Sequence, residues 1–435
     1  MTGPELDPAV VRGLGMLLPL VGVLVLVLRR RPTRGEVGAA VTAGAWAALS
    51  LLAVNVLAVE IGWWSFGAGA AVWFGIPVDL WLAWSLLWGA LPALALREVP
   101  AVVVGIAVVW LDLVAMPQLE PLVLLTTTPG VRHWLVGEAV ALVVVLLPAL
   151  VLAGLTLQHR HASVRAWGQA VWATGLVVAL PAITLVADRE PGAGPGTGRL
   201  GTGLQVVVLL GLPALAAMRE LALVGRGTPL PFDPPVRLVT SGPYAYVRNP
   251  MQLSVVLVQL ALAALLGEPL LLLAGVVSVG FLVGLAKGLE DRQLEADFAT
   301  AWRRYRAEVR EWWPRWRPWP GRPVGTLYAA GDCDLCTGVG GWFARRSPVA
   351  LRIRAAAEHP ESLRRIRYES PGVRVDGVRA VARALEHLGL GWALIGWGLD
   401  LPAVRHFAQL CADVFGAGPR AEVERPPVVL DARNR

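Results

Sequence analysis

Two sets of residues in this chain have the types and spacing that chemistry requires. The first opens with Gly225-Arg226-Gly227-Thr228-Pro229 and Pro231-Phe232-Asp233-Pro234-Pro235, then Ser241-Gly242-Pro243-Tyr244-Ala245-Tyr246-Val247-Arg248-Asn249-Pro250. A hairpin turned by Gly267-Glu268-Pro269 separates these from Glu290-Asp291, Phe298, Trp302, Tyr305 and Trp313-Pro314. Proline presets φ and glycine lets a backbone approach a ligand closely, so a loop this rich in both is built to hold one shape. Arg248 could clamp a carboxylate, and the acidic pair Glu290-Asp291 suits an ammonium group. The stretch has no histidine to serve as general base, which suits an acceptor that is already anionic better than a hydroxyl. Taken singly, Gly-Pro-Tyr is also an ordinary turn, and Glu290-Asp291 with Arg303 and Arg304 also reads as a solvated juxtamembrane helix. As an ordered set, they deliver polar residues from both ends of a hairpin to one level.

The second set is Cys333-Asp334-Leu335-Cys336, directly after a strand-like run, Gly325–Ala329. A strand leading to Cys-x-x-Cys at a helix start is the thioredoxin-like arrangement. The helix N-terminus favours a thiolate at Cys333, and Asp332 and Asp334 oppose it. Zinc is the alternative, but a structural site needs four ligands, and only Cys411 and the scattered His359, His387 and His406 are at hand. A reduced, inert pair is the third reading.

The elements that must position these residues are set by hydropathy. The chain has 435 residues, 55% hydrophobic and only 16% charged, with a mean hydropathy of +0.57. Long apolar runs in such a chain read as bilayer spans, each about 20 residues long. Nine are expected, near 9–28, 38–60, 74–96, 99–116, 135–157, 167–187, 203–218, 251–266 and 269–287. Arg29, Arg30, Arg31 and Arg34 follow the first, and the basic loop from Arg219 to Arg248 precedes the hairpin. By the positive-inside rule these loops are cytoplasmic, which puts the N-terminus outside and the C-terminal segment in the cytoplasm. The first apolar run has no basic region before it and no small-residue cleavage site after it, so it reads as a retained span. The net charge of +7 is distributed as loop arginines, and no nucleic-acid-binding motif accompanies it. Asp79, Asp112 and Glu138 lie inside spans, each isolated in the sequence, and are expected near interfaces or hydrogen-bonded between helices. Arg303 to Arg322 interleaves arginine with Trp312, Trp313, Trp316 and Trp319, the composition of an interfacial anchor. Pro191–Gly196 and Pro318–Pro323 are Pro/Gly-rich boundaries.

The order of the first set resembles the isoprenylcysteine carboxyl methyltransferase and phospholipid methyltransferase families over about residues 203–318. Their pattern is a Gly-Pro-Tyr-x-x-x-Arg-His/Asn-Pro loop, a helical hairpin, Glu-Glu-x-x-Leu, Phe-Gly, Tyr-x-x-Tyr and a closing Trp-x-Pro. The resemblance implies S-adenosylmethionine as methyl donor. Gly242, Tyr244, Arg248, Asn249, Pro250, Glu290, Asp291 and Tyr305 would line its site, with Gly225 and Gly227 as a Gly-x-Gly and with Arg248 and Glu290 closest to the chemistry. Asp291 replaces a Glu, Gln252 a Tyr, Ala299 a Gly and Trp302 a Tyr. Sterol-type reductases, which use NADPH on a related hairpin fold, and a vestigial pocket are the rival readings. Residues 325–420 are similar to the DCC family of thiol-disulfide oxidoreductases, which would make Cys333 and Cys336 a redox dithiol. Ala330 stands where that family has Asp.

The expected protein is an α-helical polytopic membrane protein of about nine spans with a C-terminal α/β thioredoxin-like soluble domain. Its parts are an N-terminal bundle (1–190), a methyltransferase-like membrane domain (200–320), the dithiol domain (324–420) and a tail (421–435). The expected activity is S-adenosylmethionine-dependent methylation of a membrane lipid or lipophilic acceptor bearing a carboxylate, thiol or amine. A membrane thiol-disulfide oxidoreductase on a non-catalytic scaffold is the alternative. Neither the oligomeric state nor the acceptor can be read from the residues.

Overall fold

The computed structural model describes residues 8–67, 71–119, 122–128, 131–187, 196–281, 287–329 and 334–419. Among these, seven helices are long and apolar enough to cross a membrane: α1 (Pro8–Arg30), α2 (Arg34–Ile61), α3 (Val78–Ala95), α4 (Ala101–Leu119), α5 (Trp134–Leu157), α6 (Ala162–Ala187) and α7 (Gly198–Gly225). The hairpin helices α8 (Pro250–Leu266) and α9 (Leu270–Phe281) are shorter, 17 and 12 residues. Seven of the nine expected spans thus coincide with such helices; the expected span 251–266 falls on the shorter α8, and the expected span 269–287 runs into residues outside the described ones.

The chain divides into two compact units: residues 1–189 with 227–235, and residues 190–226 with 236–435. In the first unit, small residues let helices approach closely, as is common where lipid removes the hydrophobic drive between helices. Ala39 and Ala43 of α2 pack with Ala93, Ala149 and Ala153. A Cβ on Gly89 would stand 2.5 Å from the Ala43 carbonyl oxygen. Three spans contain a π-helical turn just before a proline: Leu86–Ala90 before Pro92, Leu142–Leu146 before Pro148, and Thr174–Ala179 before Pro181. A proline has no N–H to give and crowds the preceding turn, and a wider turn relieves both. Glu36 closes a capping box with Thr33 at the start of α2.

The charges inside the spans are not isolated; they hydrogen-bond between helices, one of the two arrangements expected for them. Arg12 holds Asp79 through two hydrogen bonds, Nε to Oδ2 at 2.5 Å and Nη2 to Oδ1 at 2.9 Å. Asp112 hydrogen-bonds to Glu138 and to Trp88. Sequence spacing hid both pairings, because the partners come from different helices.

The second unit joins α7, α8, α9 and α10 (Lys287–Glu308) to an α/β segment. Its strands are β1 (Gly325–Ala329), β2 (Leu351–Ala355), β3 (Arg367–Ser370) and β4 (Val373–Asp376), in the sheet order β4-β3-β1-β2. β1 and β2 are parallel, with α11 (Asp334–Ala344) between them in the chain, and β3 and β4 form an antiparallel hairpin against β1. The alternation of β1, buried at Gly325, Leu327 and Ala329, presents one face to a core of Phe343, Tyr368, Ala380 and Leu385. Helices α12 (Val378–Leu385), α13 (Leu390–Leu399) and α14 (Pro402–Ala412) complete the segment. The Pro-rich stretch 318–323 is packed, with Trp319 and Arg322 both buried.

Candidate functional site: the Gly242–Pro250 loop

The loop enters through a short 3-10 turn, Gly242–Ala245, and leaves into α8 at Pro250, which takes a first-turn position where its missing N–H is not needed. Gly242 has φ +57°, a left-handed value that favours glycine. The loop backbone is pinned to the segment after α10. Arg248 N–H donates to the Arg310 carbonyl at 3.0 Å, and Asn249 N–H to that of Glu311 at 3.3 Å. In return, Arg315 N–H donates to Tyr246 at 2.9 Å and Trp319 N–H to Ala245 at 2.8 Å. The two ends of the motif, 63 residues apart at Arg248 and Glu311, therefore meet at one place.

Tyr305 donates its hydroxyl to the Tyr244 carbonyl at 2.7 Å. Both tyrosines are buried. Burial pushes the Tyr305 phenol far above its ordinary value, so the hydroxyl keeps its proton and ties α10 to the loop backbone. Its ring packs edge-on against Trp319, centroids 5.3 Å apart, and tilted against Trp302 at 5.8 Å. The Arg248 guanidinium stands 5.7 Å from the Trp302 ring centroid. Trp302, expected only as a departure from a tyrosine, thus keeps the aromatic wall. Trp319, expected at the headgroups, is 5% exposed and belongs to this core, whereas Trp313 and Trp316 are largely exposed.

The polar groups of this cluster fit an anionic ligand group. Arg248 Nε, Trp302 Nε1 and Trp319 Nε1 are buried donors with no acceptor among the described residues. An amino-acid carboxylate supplies acceptors of the kind these donors lack. An acid brought to Arg248 and Asn249 is Glu311, whose carboxylate lies 3.5 Å from Arg248 Nη2 and 3.4 Å from Asn249 Nδ2. It escaped notice in the sequence, where it sits inconspicuously beside Trp312-Trp313-Pro314. Asp291 is half-buried near the start of α10; Glu290 precedes it there, and its side chain lies outside the described residues.

The two glycines of the Gly-x-Gly have separate surroundings. Gly225 closes α7, and its carbonyl accepts from Val236 N–H at 2.8 Å. Gly227 belongs to the first unit, where a Cβ would meet the Pro235 backbone at 2.5 Å. The neighbouring Asp233 also belongs there, ion-paired with Arg165 and accepting from Thr228 Oγ1 at 3.0 Å. The Pro-Phe-Asp-Pro part of the motif is thus packed within the N-terminal unit by its own contacts.

Of the dithiol, Cys333 lies outside the described residues; Cys336 falls in the first turn of α11, and its side chain lies outside them too. Among the described residues, no group of three or more His, Cys, Asp or Glu could hold a metal. His359 and His387 are engaged in the protein itself: His387 meets Tyr368 Oη at 2.9 Å and the Val349 carbonyl at 2.7 Å, and His359 meets Glu369 at 3.2 Å.

No curated protein and no solved structure matches the chain. A family model described as phospholipid methyltransferase does match residues 199–301, and over that stretch, from α7 through the loop and hairpin to the kink of α10, this chain is similar to that family.

Proposed function

We propose that the second unit is a membrane methyltransferase that uses S-adenosylmethionine and methylates a lipophilic acceptor at the membrane surface. The observation that carries this reading is the convergence of Arg248 with Trp302, Tyr305 and Trp319, which follow the matched segment, on a loop pinned by residues 310–319, with three donors that lack acceptors among the described residues. When bound, the sulfonium supplies an electrophilic methyl group, which passes to the acceptor as the carbon–sulfur bond breaks. Arg248 with the two tryptophan N–H groups would hold the donor's carboxylate, and Glu311, Asp291 and Glu290 its ammonium. The rate advantage would come chiefly from holding acceptor and methyl group in attack geometry. Tyr244, Asn249 and Pro250 shape the loop, and Gly242 allows its first turn. An acceptor that is a carboxylate, thiolate or free amine fits a cluster without a histidine. A membrane lipid meets that requirement and the hydrophobic setting together, with the loop on the cytoplasmic side.

Equilibrium binding of labelled S-adenosylmethionine to the purified protein tests the assignment. Arg248→Ala and Glu290→Ala are expected to weaken it by about tenfold each, as loss of a charge-assisted hydrogen bond implies; unchanged binding in both would overturn the site.

A second reading concerns the α/β segment. Its β1-α11-β2 unit is parallel and places Cys336 in the first turn of the intervening helix. That supports a thioredoxin-like dithiol, Cys333 and Cys336, in a DCC-type domain. Disulfide reduction by the full chain, abolished in Cys333→Ser, is the expected result; equal activity in the variant would refute it.

A further inference from the structure

The α/β segment is bolted to the loop through charges that neither part could bury alone. Glu220, near the end of α7, is 1% exposed. Its Oε1 accepts from Ser241 Oγ at 2.5 Å and its Oε2 from Arg383 Nη1 at 2.6 Å. Gly242 sits directly over this carboxylate, where a Cβ would stand 3.3 Å from it. Arg383, on α12, also lies 3.4 Å from Glu386, which accepts from Trp397 Nε1 at 3.2 Å. The Glu386 carbonyl in turn accepts from Tyr246 Oη at 2.9 Å and from Arg322 Nη1 at 2.5 Å. Beside them, Arg219 pairs with Asp400, which Arg379 also holds at 3.1 Å. Ala245 and Tyr246 pack against Ala393 and Trp397 of α13. Burial opposes the charge on Arg383, but Glu220 and Glu386 more than offset it, and its pKa stands above the usual arginine value.

Removing Arg383 would leave Glu220 buried without its hydrogen-bonded counter-charge, with only Arg219 near it, an unfavourable state. The hydrogen bond that sets Ser241, and with it the left-handed turn at Gly242, depends on that same carboxylate. We propose that Arg383 and Glu386 are positioning residues for the methyl-donor loop, so that the donor site is complete only with the α/β segment docked. The proposal rests on the methyltransferase reading above. It assigns the appended segment a part in that reaction, independent of any thiol chemistry.

Two measurements on the full-length protein in nanodiscs test it. Hydrogen exchange of the amides between 242 and 249, without ligand, reads the brace. Equilibrium binding of S-adenosylmethionine reads its consequence. Arg383→Met is expected to speed exchange and weaken binding, each by at least about tenfold, given the loss of a buried pair. Arg383→Lys, which keeps the charge, should recover most of both. Tyr246→Phe and Ser241→Ala remove single hydroxyls without opening a large cavity, and they decide the matter if Arg383→Met does not fold; each should loosen the loop by several-fold. Arg367→Ala, at the exposed pair with Asp376, is the control and should change neither. Unchanged exchange in these variants, with donor binding intact, would overturn the brace. Faster exchange in a protein whose wild type binds no S-adenosylmethionine would instead overturn the methyltransferase reading.

Discussion

The N-terminal unit and the unit carrying the loop bury their charges differently. In the first, apart from the acid pair Asp112 and Glu138, an acid meets its base across two elements: Arg12 with Asp79, Arg97 with Glu36, Arg165 with Asp233. In the second, Arg383 joins Glu220 to Glu386 and Glu386 joins Arg322 in one connected group, beside a second group in which Arg219 and Arg379 share Asp400. A pair fixes two elements against each other and can be lost by itself. A connected group ties α7, the loop, the Pro-rich stretch and α12 together, so a change at one member reaches the others. Coupling of that kind is what a loop held in one shape needs, and register alone is what a helical bundle needs.

The contrast can be broken most forcefully at Arg165. Replacing it with Met leaves Asp233 buried with Thr228 and the exposed His159 nearby, and a loss of about 3–5 kcal/mol is expected. Arg97→Ala removes a half-exposed partner of Glu36 and should cost less than about 1 kcal/mol. Thermal melting of the two variants compares them, and equal shifts would show that burial does not separate the pairs.

A step smaller is Gly89→Val, which drives side-chain atoms into the backbone of α2 at Ala43. It should destabilise the bundle by about 1–3 kcal/mol, seen as a lower melting temperature with unchanged loop exchange in the other unit.

In the second unit, His387 has no exposed surface. Its Nδ1 faces the Val349 carbonyl and its Nε2 the Tyr368 hydroxyl, which assigns the proton to Nδ1. Burial, with Arg322 nearby, holds its pKa well below the ordinary value. The unfolded chain therefore binds a proton near pH 6.5 that the folded chain does not. Stability from this residue is complete above that pH and is lost as pH falls, by up to about 1.4 kcal/mol per unit. His387→Gln should flatten the decline between pH 6.5 and 5; an identical slope would remove His387 as its source.

The smallest effect has the opposite sign. Ala299 interrupts α10 at φ +34°, ψ −106°, where the resembling families carry glycine. Ala299→Gly should stabilise the protein by about 1 kcal/mol, by relieving a conformation that a Cβ disfavours. A lower melting temperature would contradict that account of the kink.

Much of the scaffold was legible in the residues alone. Hydropathy located all seven long helices, because a span's requirement for apolar length is local. At the hairpin, the eighth expected span falls on α8, which is apolar but only 17 residues long. The loop and Tyr305 were legible from their order. Trp319, Glu311 and Glu220 were not, because nothing in their own neighbourhoods distinguishes a tryptophan or glutamate that will be buried from one that will be solvated. The isolation attributed to Asp112 and Glu138 failed for the same reason.

By itself, the sequence determined which segments are apolar enough to span, where the chain must turn, and that a proline- and glycine-rich loop with a following aromatic series stands between helices. Those are properties of short windows, set by side-chain hydropathy and backbone freedom. Tertiary structure alone decided that Ser241 and Arg383, 142 positions apart by number (383 − 241), grip the same carboxylate of Glu220. It also decided that part of the motif, Gly227 to Pro235, packs with the first unit. A buried charge stabilises only the arrangement that supplies its partner, and that partner is chosen by the fold and not by distance along the chain.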